Sequence, residues 1–475
     1  MVFSSLFFVF VFFLANILTQ AFVPDIKKKN IVMLCFSLVF YAWSGLRFVP
    51  LLLIMTFICW VGAIEVIRAQ ARGKSGKPIL AAAIVLVLLI LGIFKYTGFF
   101  LKNVQLLTGV PKEIPRIVMP IGISFYTFQL LSYVIDVYRG DAEVQKKYWL
   151  LLLYASLFHQ CIAGPIVRYR DVYEDILHRK VKLSEVSRGI TRFTVGLAKK
   201  AILANGCSKV ADTLLAAGVI ETTSVLGVWL GAICYTLFIY LDFSAYSDMA
   251  IGMGLMTGFH YKENFNYPYT ADSITDFWRR WHISLSTFFR DYVYIPLGGN
   301  RCSKARHIFN MFVVWGLTGM WHGASWNFIL WGLYYFVFLV LEKYVIHPEQ
   351  RIVKPLRRVL TLLVVVIGWV LFRFSDMGML GTALKGMVGL NGNAFHTAPS
   401  WIIFQNNVWF LLFACVSVTP LGTHIANAMR NLSRKSAAWF WTYGVWDILH
   451  PLILLVLSTM ALAGASYNPF LYFQF

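Results

Sequence analysis

Charge is scarce in this sequence. Asp, Glu, Lys and Arg make up 13% of its 475 residues, against roughly 25% in a soluble domain. Acidic residues are the scarcer sign, 22 against 42 Lys and Arg. The seven cysteines lie far apart with no C-x-x-C pair, which argues against a disulfide framework and against a structural zinc site. They read as small apolar packing residues, and no metal centre is expected. No basic soluble domain is present to carry nucleic-acid binding, although the net charge is +20. The stretch Met1–Val23 lacks a basic leader and a small-residue cleavage site, so it reads as a retained first span rather than a signal peptide.

What is abundant is apolar surface. The chain is 59% hydrophobic and 17% aromatic, with a mean hydropathy of +0.66. A bilayer can hide that surface in helices of about 20 residues, and a water-soluble core cannot. The clearest apolar runs are Val2–Ala21, Ile31–Trp43, Phe48–Ile67, Ile79–Phe94, Ile117–Val137, Leu150–Val167, Val225–Met256, Ile308–Leu341, Val359–Phe374, Val408–Pro420 and Ile448–Ala465. Basic clusters separate them: Lys27–Lys29, Arg68–Lys77, Arg139–Lys147, Arg168–Lys182, Arg279–Arg306, Arg351–Arg358 and Arg430–Lys435. Assigned to the cytoplasm, these clusters place both chain termini outside. The run between Lys147 and Arg168 then has cytoplasmic ends on both sides and length for a single crossing, so it dips in and returns. The whole is expected to be one membrane domain, residues 1–475, with a short extracytoplasmic tail at 467–475.

Three groups of polar residues sit in this apolar setting. Asp242 and Asp248 interrupt the run Val225–Met256. Carboxylates in a membrane face a bundle interior or a cavity, so they are either cavity lining or internal helix contacts. Next comes a basic, aromatic segment broken by Pro296 and Gly298-Gly299, with Arg279, Arg280, His282 and Arg290. Guanidinium forks suit phosphate oxygens; the same residues also suit lipid headgroups. Last, Trp321-His322-Gly323 follows that segment by about 14 helix-like residues, about 20 Å of helix at about 1.5 Å per residue. A histidine at that depth takes or gives a proton near neutrality and is a functional candidate by default.

These strings resemble the membrane-bound O-acyltransferase family, in its bacterial alginate and peptidoglycan O-acetylation branch. The resemblance rests on Met1–Ser5, Pro120–Tyr126, Tyr133–Gly140, Ile162–Pro165, Asp242–Gly252, Phe277–Ser286, Phe289–Arg301 and Trp321–Trp326. The two strings Trp278–Ser286 and Trp321–Ala324 together are the specific ones. Two departures stand out: Phe158-His159-Gln160-Cys161 replaces a motif that usually carries proline, and Ala245 stands where the branch often has glycine. The resemblance implies an all-α polytopic fold, a ring of transmembrane and re-entrant helices around a central funnel. It puts the signature histidine at His322 and the second motif histidine at His282. It implies acetyl transfer from a cytoplasmic donor, acetyl-CoA, across the bacterial inner membrane to an extracytoplasmic or cell-wall polysaccharide. An extracytoplasmic acetyltransferase of the SGNH type is the implied partner. On this reading His322 is the general base, His282 orients the donor or stabilises charge, and Arg279, Arg280 and Arg290 are candidates for the donor's phosphates. The segment Asn468–Phe475 is similar to an aromatic motif whose tyrosine accepts an acyl group, which makes Tyr472 a candidate carrier. D-alanyl or other acyl transfer within the family, and a transporter without covalent chemistry, remain as alternatives; the second also accommodates broken helices and buried polar groups.

Overall fold

A computed structural model describes residues 1–110, 114, 117–162, 164–347, 351–464 and 470. The described secondary structure is all helical, and seven of these helices are long and apolar enough to cross a membrane. Helices solve the membrane's first demand, because each satisfies its own backbone hydrogen bonds in a medium without water. The chain divides into two compact units, Met1–Phe193 with Ser247–Glu263, and Thr194–Tyr246 with Asn264–Phe475. The long helix Val225–Thr257 supplies residues to both.

In the first unit, Asp25 caps Ile26–Ala42 by accepting from the Lys28 backbone N–H at 3.0 Å. The helix expected over Ile79–Phe94 runs from Lys77 to Thr108. The apolar run stops at Lys95 because hydropathy stops there. The helix continues because lysine is a good helix former, and it ends where Gly109 turns left-handed at φ 66°. Lys95 Nζ donates to Ser124 Oγ at 3.3 Å. The segment after Lys147 forms a helix of only 9 residues, Tyr148–Ser156, then turns, and its described residues from there to Arg168 are not helical. The Gln145 side-chain amide donates to the Tyr169 hydroxyl at 2.8 Å, so the two ends of the excursion lie side by side. The segment leaves and returns to the same place in the unit.

In the second unit, the single run expected over Ile308–Leu341 is two helices, Lys304–His322 and Trp326–Leu341. Gly323 and Ser325 take extended backbone between them. The two helices touch through glycines: a Cβ on Gly319 would sit 2.4 Å from the Phe328 carbonyl oxygen, and one on Gly332 2.4 Å from that of Trp315. Small residues let membrane helices approach this closely. The consequence is that His322 sits at a hairpin tip rather than in mid-helix.

Candidate functional site

The site begins with a short helix, Ile274–Arg280. The Ser273 side chain caps it, accepting from the Asp276 N–H at 3.0 Å. The Glu342 carboxylate accepts from the Ile274 and Thr275 N–H groups at 2.7 and 3.0 Å. A carboxylate on a helix N-terminus is favoured by the free N–H groups and by the helix dipole. This clamp positions Phe277, Trp278 and Trp281, all buried.

His282 follows in left-handed backbone, φ 43°, and opens the next short helix, Ile283–Phe289. Non-glycine residues hold such a conformation only where the surroundings enforce it. Here Asn264 does so. Its backbone carbonyl accepts from the Ile283 N–H at 2.9 Å, and its side-chain Oδ1 accepts from the Ser284 N–H at 3.1 Å and the Ser284 hydroxyl at 2.9 Å. The same Oδ1 lies 3.2 Å from His282 Nδ1. His282 is 1% exposed. Burial pushes its imidazole down to about 3, so the ring is neutral. Phe243 and Trp321 stand edge-on to it, with ring centres 4.7 and 5.9 Å away.

Trp321 is the link to the second histidine. Its ring centre lies 5.0 Å from that of His322, which is itself 7% exposed. Trp331 and Phe372 complete the wall around His322 at 4.9 and 5.2 Å. The two histidines expected from the sequence therefore flank one indole in one unit. The three arginines do not act alike. Arg279 is exposed and has no ion pair or hydrogen bond among the described residues. Arg280 is tied to Asp276 at 2.9 Å and to Thr270, and its carbonyl accepts from the Asn266 N–H. Arg290 is exposed and pairs with its neighbour Asp291 at 2.7 Å.

Tyr472 lies outside the described residues. Phe470 is described, is 2% exposed, and packs edge-on against Tyr246 at 4.7 Å. Lys200 Nζ lies 4.8 Å from the Phe470 ring centre, a cation–π contact. Lys200 also makes an ion pair with Asp242 at 2.6 Å, both side chains buried. Asp248 is likewise paired, with Arg192 at 2.7 Å, and Arg192 also reaches Glu263. Both intramembrane carboxylates are thus internal contacts. Replacing Lys200 with Met alone leaves Asp242 buried without this partner, and about 3–5 kcal/mol of stability should be lost. The double change Lys200→Met with Asp242→Leu should recover most of it. Thermal unfolding of the detergent-solubilised protein reads both; equal loss in the single and double variants would refute the pair's role.

The sequence reading missed Asn264, Lys200 and the Trp331–Phe372 wall. Asn264 meets His282 across 18 positions of chain, and no spacing rule announces such a contact. Lys200 carried a weak signal, since Lys199-Lys200 precedes an apolar stretch and Asp242 needed a cation.

Comparison with known proteins completes the site. Residues 146–377 match the model of MBOAT, the membrane-bound O-acyltransferase family. That range contains both histidines, Asn264 and all three arginines. The chain is 41% identical over 525 residues to the probable alginate O-acetylase AlgI of Pseudomonas aeruginosa, covering 100% of each chain. It is 36% identical over 504 residues to the protein of the same name from Azotobacter vinelandii, again over 100% of each. It is 30% identical to the peptidoglycan O-acetyltransferase of Helicobacter pylori, over 100% of this chain and 98% of that one.

Proposed function

Because the chain belongs to the membrane-bound O-acyltransferase family, and is therefore an acyl-transferring enzyme of the membrane, we propose that it moves acetyl groups through the bacterial inner membrane for O-acetylation of an envelope polysaccharide. The observation that carries this reading is His322, buried at the tip of the hairpin of Lys304–His322 and Trp326–Leu341, within a chain that matches alginate O-acetylases from end to end. The donor is acetyl-CoA, presented on the face that carries the basic clusters. The acceptor side lies opposite, where an acetyltransferase of the SGNH type takes the group to the polymer.

The chemistry asks little of the protein beyond a base and alignment. A thioester is already activated. His322 removes the proton of the attacking hydroxyl, the new oxygen–carbon bond forms at the thioester carbonyl, and CoA leaves as the thiolate and takes up a proton. Base catalysis contributes about 10²–10⁴-fold and alignment more. The test is direct. Purified protein supplied with acetyl-CoA and an acceptor should release thiol and transfer acetyl. A transporter without covalent chemistry would release none, and a D-alanyl transferase would ignore acetyl-CoA.

The arginine geometry refines the donor side. Arg279 is the guanidinium left available to an incoming phosphate, whereas Arg280 holds the turn that carries His282. Arg279→Ala should raise the apparent donor KM about 3–10-fold, with the difference shrinking at high salt as screening weakens phosphate contacts. Arg280→Ala should lower kcat instead, through the turn. An unchanged KM in Arg279→Ala at both low and high salt would return that residue to a topological role.

A further inference from the structure

The contact between Asn264 and His282 reaches further than packing. We infer that Asn264 is a positioning residue that locks His282 in the Nδ1-protonated tautomer and presents Nε2 as the lone-pair nitrogen of the site. This rests on the acetyl-transfer reading only for what Nε2 then does, not for the tautomer itself.

The Ser284 backbone N–H must meet an acceptor, and the Asn264 side-chain atom 3.1 Å from it is therefore the carbonyl oxygen Oδ1 rather than the amide nitrogen. The amide orientation is fixed by that contact. His282 Nδ1 lies 3.2 Å from the same oxygen. A lone pair on Nδ1 would face a lone pair on Oδ1, so Nδ1 carries the hydrogen and donates it. A neutral imidazole has one N–H, and Nε2 is then unprotonated. Nε2 is buried and has no hydrogen-bond partner among the described residues. A buried acceptor without a partner is costly and marks a place where a group is to be received. The left-handed backbone of His282 points the same way, since strain of this kind gathers where a side chain must be aimed.

The surroundings suit a neutral ring. From the neighbouring elements the imidazole faces Phe243, Phe265 and Trp321, and from its own segment Ser284. Burial is the one cause displacing its titration, with no charged neighbour contributing. A proton on the reacting hydroxyl or thiol of a substrate could therefore pass to Nε2 without competition from a nearby carboxylate.

The competing explanation is that Asn264 merely caps the Ile283–Phe289 helix. Aspartate at 264 separates the two. It caps a helix at least as well as asparagine, yet a carboxylate beside Nδ1–H stabilises the imidazolium and raises its pKa by about 1–3 units. Acetyl-CoA turnover by the full-length protein in nanodiscs is measured against pH for wild type, Asn264→Asp and Asn264→Ala. The acid limb of the profile should move up by about a unit or more in Asn264→Asp, at an unchanged amount of folded protein. Asn264→Ala should lose about 10-fold in turnover across the whole range. Ring-nitrogen NMR of ¹⁵N-histidine-labelled protein, assigned by difference against His282→Gln, reads the tautomer without any substrate. Wild type should show a protonated Nδ1 and a bare Nε2, and Asn264→Ala a mixture. Identical spectra in wild type and Asn264→Ala, or a protonated Nε2 in wild type, overturn the inference; so does an Asn264→Asp profile superimposable on wild type. A wild-type protein inert toward acetyl-CoA would defeat the functional reading instead, and the spectra would still decide the tautomer.

Discussion

Replacing His322 with alanine should lower polymer O-acetylation by about 10²–10⁴-fold, while the protein still inserts at its normal level. The size follows from what is removed. His322 is the base of the proposed reaction, and water inside a membrane protein cannot take its place at the same geometry. The fold should survive for local reasons. His322 occupies the last turn of the Lys304–His322 helix, where alanine is the best helix former. The hairpin is held by the glycine contacts of Gly319 and Gly332, which the substitution does not touch. What is lost is the ring against Trp331 and Phe372, a cavity cost on the order of 1–3 kcal/mol. His322→Gln keeps the bulk and a polar end, and should be as inactive as alanine. The measurements are polymer acetylation and the amount of protein in the membrane fraction. Full acetylation with His322→Ala would remove this residue from the mechanism.

How much of this could be read before any coordinates depends on which physical signal each feature emits. The helical class and the membrane setting follow from composition and run length, because a bilayer selects for both. The return of the chain after Lys147 is legible too, since the run between Lys147 and Arg168 is basic at both ends, and Gln145 meets Tyr169. Hydropathy fails where charge and helix part company. Lys95 ends an apolar run inside a helix that continues to Thr108. It also fails where a backbone break is itself apolar, as between His322 and Trp326. The family strings place both histidines, but not the partners that set their chemistry. Asn264 meets His282 across 18 positions and Lys200 meets Asp242 far along the chain, and a linear pattern does not specify such pairings. The arginines illustrate the same limit in reverse. Arg279 and Arg280 are adjacent and chemically alike, and only geometry separates the exposed one from the one bonded to Asp276.

Tyr472→Phe should abolish polymer acetylation nearly as completely as His322→Ala, although it removes a single oxygen atom. The proposal behind it is that Tyr472 carries acetyl between His322 and the extracytoplasmic partner. Two considerations support it. Phe470, two positions before Tyr472 in the chain, is buried against Tyr246 and beside Lys200, whose charge Asp242 balances, in the unit that holds His322. A phenol also suits the task chemically. Its reference pKa of about 10 lies below that of a sugar hydroxyl, so an aryl acetate passes its acyl group onward readily. In the first half of the relay, His322 takes the phenol proton, the phenolate oxygen attacks the thioester carbonyl, and CoA departs as the thiolate. In the second half, the partner's nucleophile attacks the aryl acetate, and tyrosinate leaves and recovers a proton. The acyl group crosses while CoA stays behind. Phenylalanine retains the ring that would anchor the segment and lacks only the nucleophile, so the variant distinguishes carrier from anchor where alanine would not. Mass spectrometry of the peptide containing Tyr472 should find acetyl in cells lacking the partner, and none in Tyr472→Phe. A fully acetylated polymer made by Tyr472→Phe would sink the relay and leave the segment as an aromatic anchor.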